Sequence, residues 1–313
     1  MRRVICTELF DLHCDTLGRG LDGCCPIDQH NGAVDLQRGG IYCPWTQAFA
    51  AFISDDLRGA DAEQRCSSLL SVAERWEREY ATAFRIVRER ADLSDDRYSC
   101  YALLTGENIG AIGDVTCLDR LCARHMRAAT LTWNGDNPWG SGCFGSGGGL
   151  TVLGMRAIER MQALGIVVDV SHLNEGGFWD VARSVKRPFI ATHSCSASVT
   201  PHPRNLTDDQ FRAIRDSGGV VGINLYHAHL GIPFGGDYFA AFCRHLEHFL
   251  SLDGENTVCI GTDFDGMELP ACFDGISALG ELYLYLQARG MDAALLDKVF
   301  YTNAYRFFSK VIA

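Results

Sequence analysis

Short apolar runs alternate with longer amphipathic stretches along the whole chain. This alternation is typical of parallel βα units rather than of hairpins, because each strand is followed by a segment long enough to form a helix. Eight such units predict an α/β fold, a (β/α)8 TIM barrel. The strands are predicted at Leu9–His13, Thr46–Phe52, Ser99–Leu104, Arg127–Leu131, Ile166–Val170, Pro188–Thr192, Gly219–Asn224 and Val258–Gly261.

Two of the intervening helices carry clear local signals. Thr207 followed by Gln210 has the form of a capping box, and the helix that it opens is expected to end before Gly218. Apolar residues at three- and four-residue steps predict a long helix between the second and third strands, with one face in the core. That face consists of Leu69, Ala73, Trp76, Tyr80, Phe84 and Val87.

The 313 residues are interpreted as a single barrel domain, residues 1–313. A barrel uses about 250 residues or more as one unit, and no Pro/Gly/Ser linker divides the chain. The glycine-rich stretch Gly142–Gly149 lacks the spacing of a phosphate-binding loop and is interpreted as a mobile βα loop.

Composition excludes several classes of partner. A formal net charge of -11 opposes binding to nucleic acid and to anionic membrane surfaces. No apolar run is long enough to span a membrane, and His13 lies too close to the first residue to leave room for a secretory signal. The 14 cysteines follow no disulfide framework, so free thiols and a cytoplasmic location are expected.

Polar residues that are costly to bury follow the carboxyl ends of five predicted strands. In a (β/α)8 barrel these ends converge on one mouth, where catalytic residues collect. Each residue alone has an ordinary structural explanation, such as a strand-end cap or a hydrogen-bonded core histidine, but those explanations do not predict the joint arrangement. The residues are His13 and Asp15 after the first strand, Glu107 after the third, His172 after the fifth, His193 after the sixth and Asp263 after the eighth.

The chemistry of this set indicates a metal-dependent hydrolase. Imidazole nitrogen and carboxylate oxygen without thiolate suit zinc or a similar divalent ion. Five candidate ligands exceed one closed tetrahedral site, and a carboxylate placed between two ions can bridge them.

The motifs DLHCD, LLTGE, VDVSH, ATHSCSA, PRNL and GTDFDG, in that order, resemble those of the renal (membrane) dipeptidase family, in its soluble bacterial form. The resemblance spans nearly the whole chain. It implies a zinc-dependent dipeptidase with two divalent ions and a small dipeptide as substrate. Tolerance of a D-residue at the substrate's C-terminus and a homodimer are further implications.

The resemblance also implies roles for the residues at the strand ends. His13 and Asp15 would bind one zinc, His172 and His193 would bind the other, and Glu107 would bridge them. A hydroxide between the ions would then attack the peptide carbonyl.

Three further residues receive roles from the resemblance. Asp263 would act as proton acceptor and then as donor to the leaving amine. Arg204 would bind the substrate's terminal carboxylate through its planar guanidinium. Tyr226 would assist with the same carboxylate, although an aromatic residue that merely packs at the rim is an equal alternative.

One position departs from the family pattern. Where the mammalian enzyme has a histidine that stabilises the tetrahedral intermediate, this chain has Trp133, followed by Asn134. The loss of one such donor typically costs about 100–1000-fold in rate. Trp133, Asn134 or Asp136 could contact the substrate in its place, and Trp133 could equally be a packing residue of the pocket wall.

Two other functions remain open on the sequence alone. A two-metal amidohydrolase acting on N-acyl amino acids or cyclic amides would use the same metal ligands and Arg204. A catalytically slow metal-binding barrel would account for Trp133. Turnover of dipeptides against their N-acetyl forms separates these three hypotheses.

Overall fold

The structure, a computed structural model, describes residues 8–21, 26–30, 32–94, 97–270 and 273–312, with the side chain of Ser94 left out. The strands are β1 Leu9–Cys14, β2 Trp45–Phe52, β3 Phe84–Ile86, β4 Cys100–Glu107, β5 Met126–Thr130, β6 Asp136–Asn137, β7 Gly140–Ser141, β8 Val167–Asp169, β9 Val221–Ile223 and β10 Val258–Ile260.

The helices fill the intervals between the strands. The α-helices are α1 Thr16–Gly20, α2 Leu36–Gly39, α3 Gly59–Glu79, α4 Cys117–Ala123, α5 Val152–Leu164, α6 Glu175–Ser184, α7 Asp208–Ser217, α8 His227–Leu230, α9 Tyr238–Ser251, α10 Ala278–Ala288, α11 Ala293–Asp297 and α12 Asn303–Val311. Single turns of other helix types are present at Arg90–Ser94, Ile109–Ile112, Gly254–Asn256, Gly275–Ser277 and Lys298–Thr302.

The strands form a curled parallel sheet in the order β8-β5-β4-β2-β1-β10-β9. Two isolated parallel bridges join its edges through one short segment, Asp169 with Ile190 and Ala191 with Val221. Around the closed ring the strands therefore follow chain order, as in a (β/α)8 barrel. The prediction of this fold class is confirmed.

The sixth strand is shorter than the predicted Pro188–Thr192. Only Ile190 and Ala191 make strand-type bridges. The backbone N–H of Thr192 donates to the carboxylate of Asp169 at 3.1 Å instead of to a neighbouring strand. The side chain of Asp169 thus ends the backbone pairing of the sixth strand, and the chain then continues toward the mouth of the barrel.

The long helix also differs from the prediction at its end. α3 ends at Glu79, and Phe84 begins the extra strand β3, which pairs with β4 from Phe84 opposite Cys100. The side chain of Phe84 is buried in the strand β3, and it would also have been buried on the core face of the predicted helix. Apolar spacing alone could not separate the two states, because both bury the same side chain.

A buried cluster includes residues from all eight barrel segments and from α12. Phe308 of α12 stacks on Phe10 of β1 with ring centroids 5.4 Å apart. A cluster that draws on every strand lies inside the barrel, and it leaves the carboxyl ends of the strands for polar residues. Its members from the barrel segments include Phe10, Ala48, Leu103, Ala128, Val167, Ile190, Val220 and Cys259.

Smaller expectations are also met. Thr207 and Gln210 form the complete capping box of α7, which ends at Ser217 and is followed by the C-cap Gly218 with a φ of 83°. The ten cysteines that the structure describes are free thiols. Among the described residues, no helix is both long enough and apolar enough to cross a membrane.

Candidate metal centre and catalytic cavity

The polar residues at the strand ends converge as the barrel places them. His13 lies in β1 and Asp15 follows it, while Glu107 is the last residue of β4. His172 and Asp263, beyond β8 and β10, have left-handed φ values of 72° and 66°. Such backbone strain in residues other than glycine is common at functional sites, where the surrounding structure stabilises it. His193 follows the short sixth strand.

Glu107 is the residue that joins the set. Its Oε2 lies 3.4 Å from Nε2 of His13, and its Oε1 lies 2.8 Å from Nε2 of His172 and 3.9 Å from Nε2 of His193. Each oxygen thus faces a different group of donors. Burial raises the pKa of the Glu107 carboxyl to about 7, because no water stabilises its charge.

The carboxylate half of the centre consists of His13 and Asp15. Nε2 of His13 lies 3.4 Å from Oδ2 of Asp15 and 3.8 Å from Oδ1 of Asp263. This nitrogen is buried without a hydrogen bond. Burial alone would lower the pKa of His13, but the carboxylates of Glu107 and Asp15 outweigh it and hold that pKa well above its usual value. Carboxylates crowded around a buried nitrogen are suited to a cation.

The histidine half consists of His172 and His193, whose Nε2 atoms face each other at 2.9 Å. Nδ1 of His172 donates to Oδ1 of Asn134 at 3.0 Å, since an amide oxygen can only accept. Nδ1 of His193 lies 2.8 Å from Oγ1 of Thr192, which donates to Asp169 and so accepts from the ring.

These outer hydrogen bonds fix the tautomers of both rings. With the proton on Nδ1, each Nε2 presents a lone pair to the same point, which is the usual arrangement of metal-binding histidines. Burial lowers the pKa values of His172 and His193 well below the usual value, so both rings remain neutral. The histidine half is therefore oriented as a pair of metal ligands.

Two groups of three side chains could each hold a metal ion, because the potential ligand atoms within each group all lie within 4.8 Å of one another. One group is His13, Glu107 and His193, and the other is His13, Asp15 and Asp263. Nitrogen and oxygen donors without sulfur fit a divalent ion of the zinc type. The orphaned Nε2 of His13 and the paired Nε2 atoms of the histidine half support the same interpretation.

The comparisons with known proteins agree with this geometry. A model of the membrane dipeptidase family, peptidase family M19, matches residues 4–313. The chain belongs to this family. A Klebsiella pneumoniae protein described as an uncharacterized protein in the pqqA 5′ region is 39% identical over 212 residues, 64% of this chain and 78% of that protein.

Two solved structures share the family fold. A metallo peptidase from Rhodobacter sphaeroides, liganded with a phosphinate mimic of the dipeptide L-Ala-D-Ala, is 27% identical with a TM-score of 0.89 and covers 97% of this chain and 99% of its own. The dipeptidase AC, an M19 metallo peptidase, is 28% identical with a TM-score of 0.89 and covers 98% and 99%. By family this chain is a metallo-dipeptidase that requires a divalent metal.

Asp263 lies at the edge of the candidate metal centre. Its Oδ2 accepts a hydrogen bond from Nδ2 of the buried Asn224 at 3.0 Å, while its Oδ1 faces His13. Burial raises the pKa of Asp263 to about 6. Asn224 was missed by the sequence reasoning, although its position at the end of the seventh strand was a usable signal.

Arg204 and Tyr226 line the same cavity, which has a volume of about 670 Å3. Arg204 is 4% exposed, and its Nη2 donates to the backbone oxygen of His193 at 3.2 Å. Its Nε has no hydrogen bond. His202 and His229 also line the cavity, with ring centroids 4.7 Å apart. The sequence analysis assigned no role to either histidine.

Trp133 and Asn134 both border the cavity, with different contacts. The ring of Trp133 packs edge-on against Phe52 at 5.0 Å and lies 6.3 Å from the ring of His172. Asn134 orients His172 through its Oδ1. Asp136 is exposed and accepts from the backbone of Ser146, which places it in the support of the glycine-rich loop.

That loop is held at several points in its length. Oγ of Ser141 donates to the backbone oxygen of Gly147 at 2.7 Å, and the N–H of Cys143 donates to the backbone oxygen of His172 at 2.8 Å. These contacts attach the Gly142–Gly149 stretch to the metal-binding side of the barrel.

Two buried aspartates support the centre from below. Asp11 accepts from Thr262 N–H at 2.9 Å and from Nε2 of Gln47 at 2.8 Å, which ties β1 to both neighbouring strands. Asp169 holds Thr192 in the same manner at the sixth strand. Each precedes a candidate ligand in its motif, DLHCD or VDVSH. An aspartate within an otherwise apolar strand was the signal for this role.

Proposed function

We propose that this chain is a two-zinc dipeptidase that hydrolyses dipeptides with a free C-terminal carboxylate, including those with a C-terminal D-residue. The observation that carries the proposal is the position of Glu107, with one oxygen toward each half of the centre and Arg204 on the wall of the same cavity. The L-Ala-D-Ala mimic bound to the Rhodobacter sphaeroides relative supports the substrate class.

His13 and Asp15 would hold one ion and His172 and His193 the other, with Glu107 between them. All five side chains are buried or nearly so. When bound, the ions would supply Lewis-acid polarisation of the peptide carbonyl and a lower pKa for attacking water. Zinc is the expected ion because the donors are imidazole and carboxylate.

The chain's own residues would orient the substrate and move the proton. The guanidinium of Arg204, already fixed by the backbone of His193, would bind the terminal carboxylate, with Tyr226 beside it. Asp263 would accept a proton at Oδ1 while Asn224 holds Oδ2, and would then pass that proton to the leaving amine.

The remaining expectations belong to the same proposal. We expect residues 1–313 to act as one domain, the free thiols to reflect a cytoplasmic protein, and the enzyme to form a homodimer. None of these is needed for the chemistry of the cavity.

A substrate panel tests the proposal. The zinc-loaded protein is assayed against L,L- and L,D-dipeptides and their N-acetyl forms by measuring released amino acids. The expected result is cleavage of free dipeptides only, abolished in Glu107→Ala and retained in Glu159→Ala, an exposed glutamate on α5. Cleavage of only the acetylated forms would instead assign an amidohydrolase of N-acyl amino acids. Binding of two ions without any turnover would assign a binding protein.

A further inference from the structure

Arg65 is an arginine on the wall of the catalytic cavity. It is half-buried on α3, one turn before Leu69, and both side chains line the cavity. Among the residues that the structure describes, no hydrogen bond or ion pair to Arg65 is present. Arg19, which lines the same cavity, differs because it pairs with Asp265 at 3.3 Å.

The guanidinium of Arg65 lies on the side of the carboxylate half. A Cβ built on Gly18 would be 3.9 Å from Nη2 of Arg65. Gly18 belongs to α1, which starts directly after Asp15. Phe52 and Ser54, at and just beyond the end of β2, line the adjoining wall. The free cation therefore adjoins the first and second strands of the barrel.

Arg204 lies across the mouth from this position. It is bonded to His193, at the end of the sixth strand segment, whereas α3 follows β2. In a closed ring of eight strands, the second and the sixth are four positions apart, on opposite sides. The cavity that both arginines line is also lined by Asp15, Glu107 and His172. A substrate bound at Arg204 would therefore extend over these candidate metal ligands toward Arg65.

This arrangement has a consequence for the N-terminal side chain of the substrate, and it rests on the proposed function. With the terminal carboxylate at Arg204 and the scissile bond at the centre, the first residue points to the wall that carries Arg65. We propose that Arg65 binds a carboxylate on that side chain and that the enzyme favours dipeptides with N-terminal Glu or Asp.

The chemistry of the wall supports this preference. A guanidinium that is partly desolvated and unpaired is stabilised most by a carboxylate, which accepts two parallel N–H bonds. A neutral side chain would leave the half-buried guanidinium without a charged partner in the cavity. The substrate's α-ammonium group would stay near the carboxylates of Asp15 and Asp263, which face the same space.

Two substrates of the same shape and different charge test the proposal. The kcat/KM values of Glu-Ala and Gln-Ala are compared for the wild type, Arg65→Gln and Arg78→Gln. Arg78 is an exposed arginine at the other end of α3, so its variant loses the same charge outside the cavity. The wild type and Arg78→Gln are expected to prefer Glu-Ala by about tenfold, equivalent to about 1.4 kcal/mol. Arg65→Gln is expected to lose that preference through Glu-Ala alone.

A binding measurement keeps the result independent of turnover. Phosphinate mimics of Glu-Ala and Gln-Ala are titrated into the metal-loaded proteins by calorimetry. Tighter binding of the Glu mimic that disappears in Arg65→Gln supports the role of Arg65 even if no dipeptide is cleaved, an outcome that would overturn only the proposed function. Equal affinities of the wild type for the two mimics, or an equal loss of both in Arg65→Gln, would overturn the role of Arg65.

Discussion

The two halves of the candidate metal centre present imidazole nitrogen atoms by different means. In the carboxylate half, one imidazole is surrounded by acidic groups, and Nε2 of His13 has no hydrogen bond. In the histidine half, two neutral imidazoles face each other, and hydrogen bonds that their Nδ1 atoms donate to Asn134 and Thr192 fix both rings. Charge dominates the first half and orientation dominates the second.

Under the proposed function, this difference would let one barrel hold two ions at unlike sites. The negative charge of Asp15 and the shared Glu107 attracts a cation without much need for ring orientation. In the proposed two-ion site, the histidine half has no carboxylate of its own, so its affinity would depend on keeping each Nε2 lone pair aimed at the ion. We therefore expect the two sites to respond to different substitutions.

The largest effect should follow Glu107→Ala, which removes the one carboxylate facing both halves. We expect the rate to fall by about a thousandfold or more and the metal content to drop below that of any other variant. Metal per chain is measured by mass spectrometry after dialysis. Asp15→Ala, which affects one half, should keep about one ion, and equal metal loss in both variants would contradict the assignment of Glu107 to both sites.

Asp263→Asn should have the next largest effect, because it removes the proton acceptor but preserves the shape of the side chain. We expect kcat to fall about 100- to 10,000-fold, as is typical of a lost acid–base group, while two ions stay bound. Steady-state kinetics together with metal analysis separate these results. Loss of an ion in this variant would show that Asp263 is mainly a ligand of the carboxylate half.

Thr192→Val tests the orientation of the histidine half. It removes the hydroxyl that accepts a hydrogen bond from Nδ1 of His193, and it leaves every proposed metal ligand unchanged. We expect the affinity of the ion in the histidine half to fall about 10- to 100-fold, the usual cost of an outer-shell change. Competition with a chelating dye gives the affinity of each site, and Thr116→Val, at an exposed threonine, is the control. Unchanged affinities would mean that orientation does not govern this half.

Trp133→Phe should have the smallest effect. The ring packs edge-on against Phe52 and phenylalanine preserves that contact, so we expect kcat/KM to stay within about threefold of the wild type. A loss of about 100-fold would instead assign the indole N–H to the stabilisation of the intermediate. Trp133→His, measured in parallel, shows whether an imidazole at this position raises the rate.

Much of the fold could be predicted from the sequence, because each strand of the barrel is a short continuous segment of the chain. The apolar runs that became β1, β2, β4 and β10 were predicted to within a few residues. The errors occurred where a long-range contact decided the outcome. Asp169 ended the sixth strand early, and pairing with β4 turned Phe84 into a strand residue.

In the candidate site too, some features could be predicted from the sequence and others depended on long-range contacts. The order of the motifs placed His13, Glu107 and His172 at strand ends, and the closed barrel brings those ends together. Nothing in the local sequence showed that Asn134 orients His172 or that Asn224 holds Asp263. Those pairs join residues 38 and 39 positions apart, and their geometry depends on the packing of whole strands.

The sequence by itself determined the fold class, the family and the identity of the polar residues at the barrel mouth, since periodicity and motif order are properties of short segments. Only the tertiary structure decided which oxygen of Glu107 faces which histidine, and that Arg65 lines the same cavity as Arg204. The physical reason is that distances between side chains on different strands are set by closure of the barrel, which no single segment encodes.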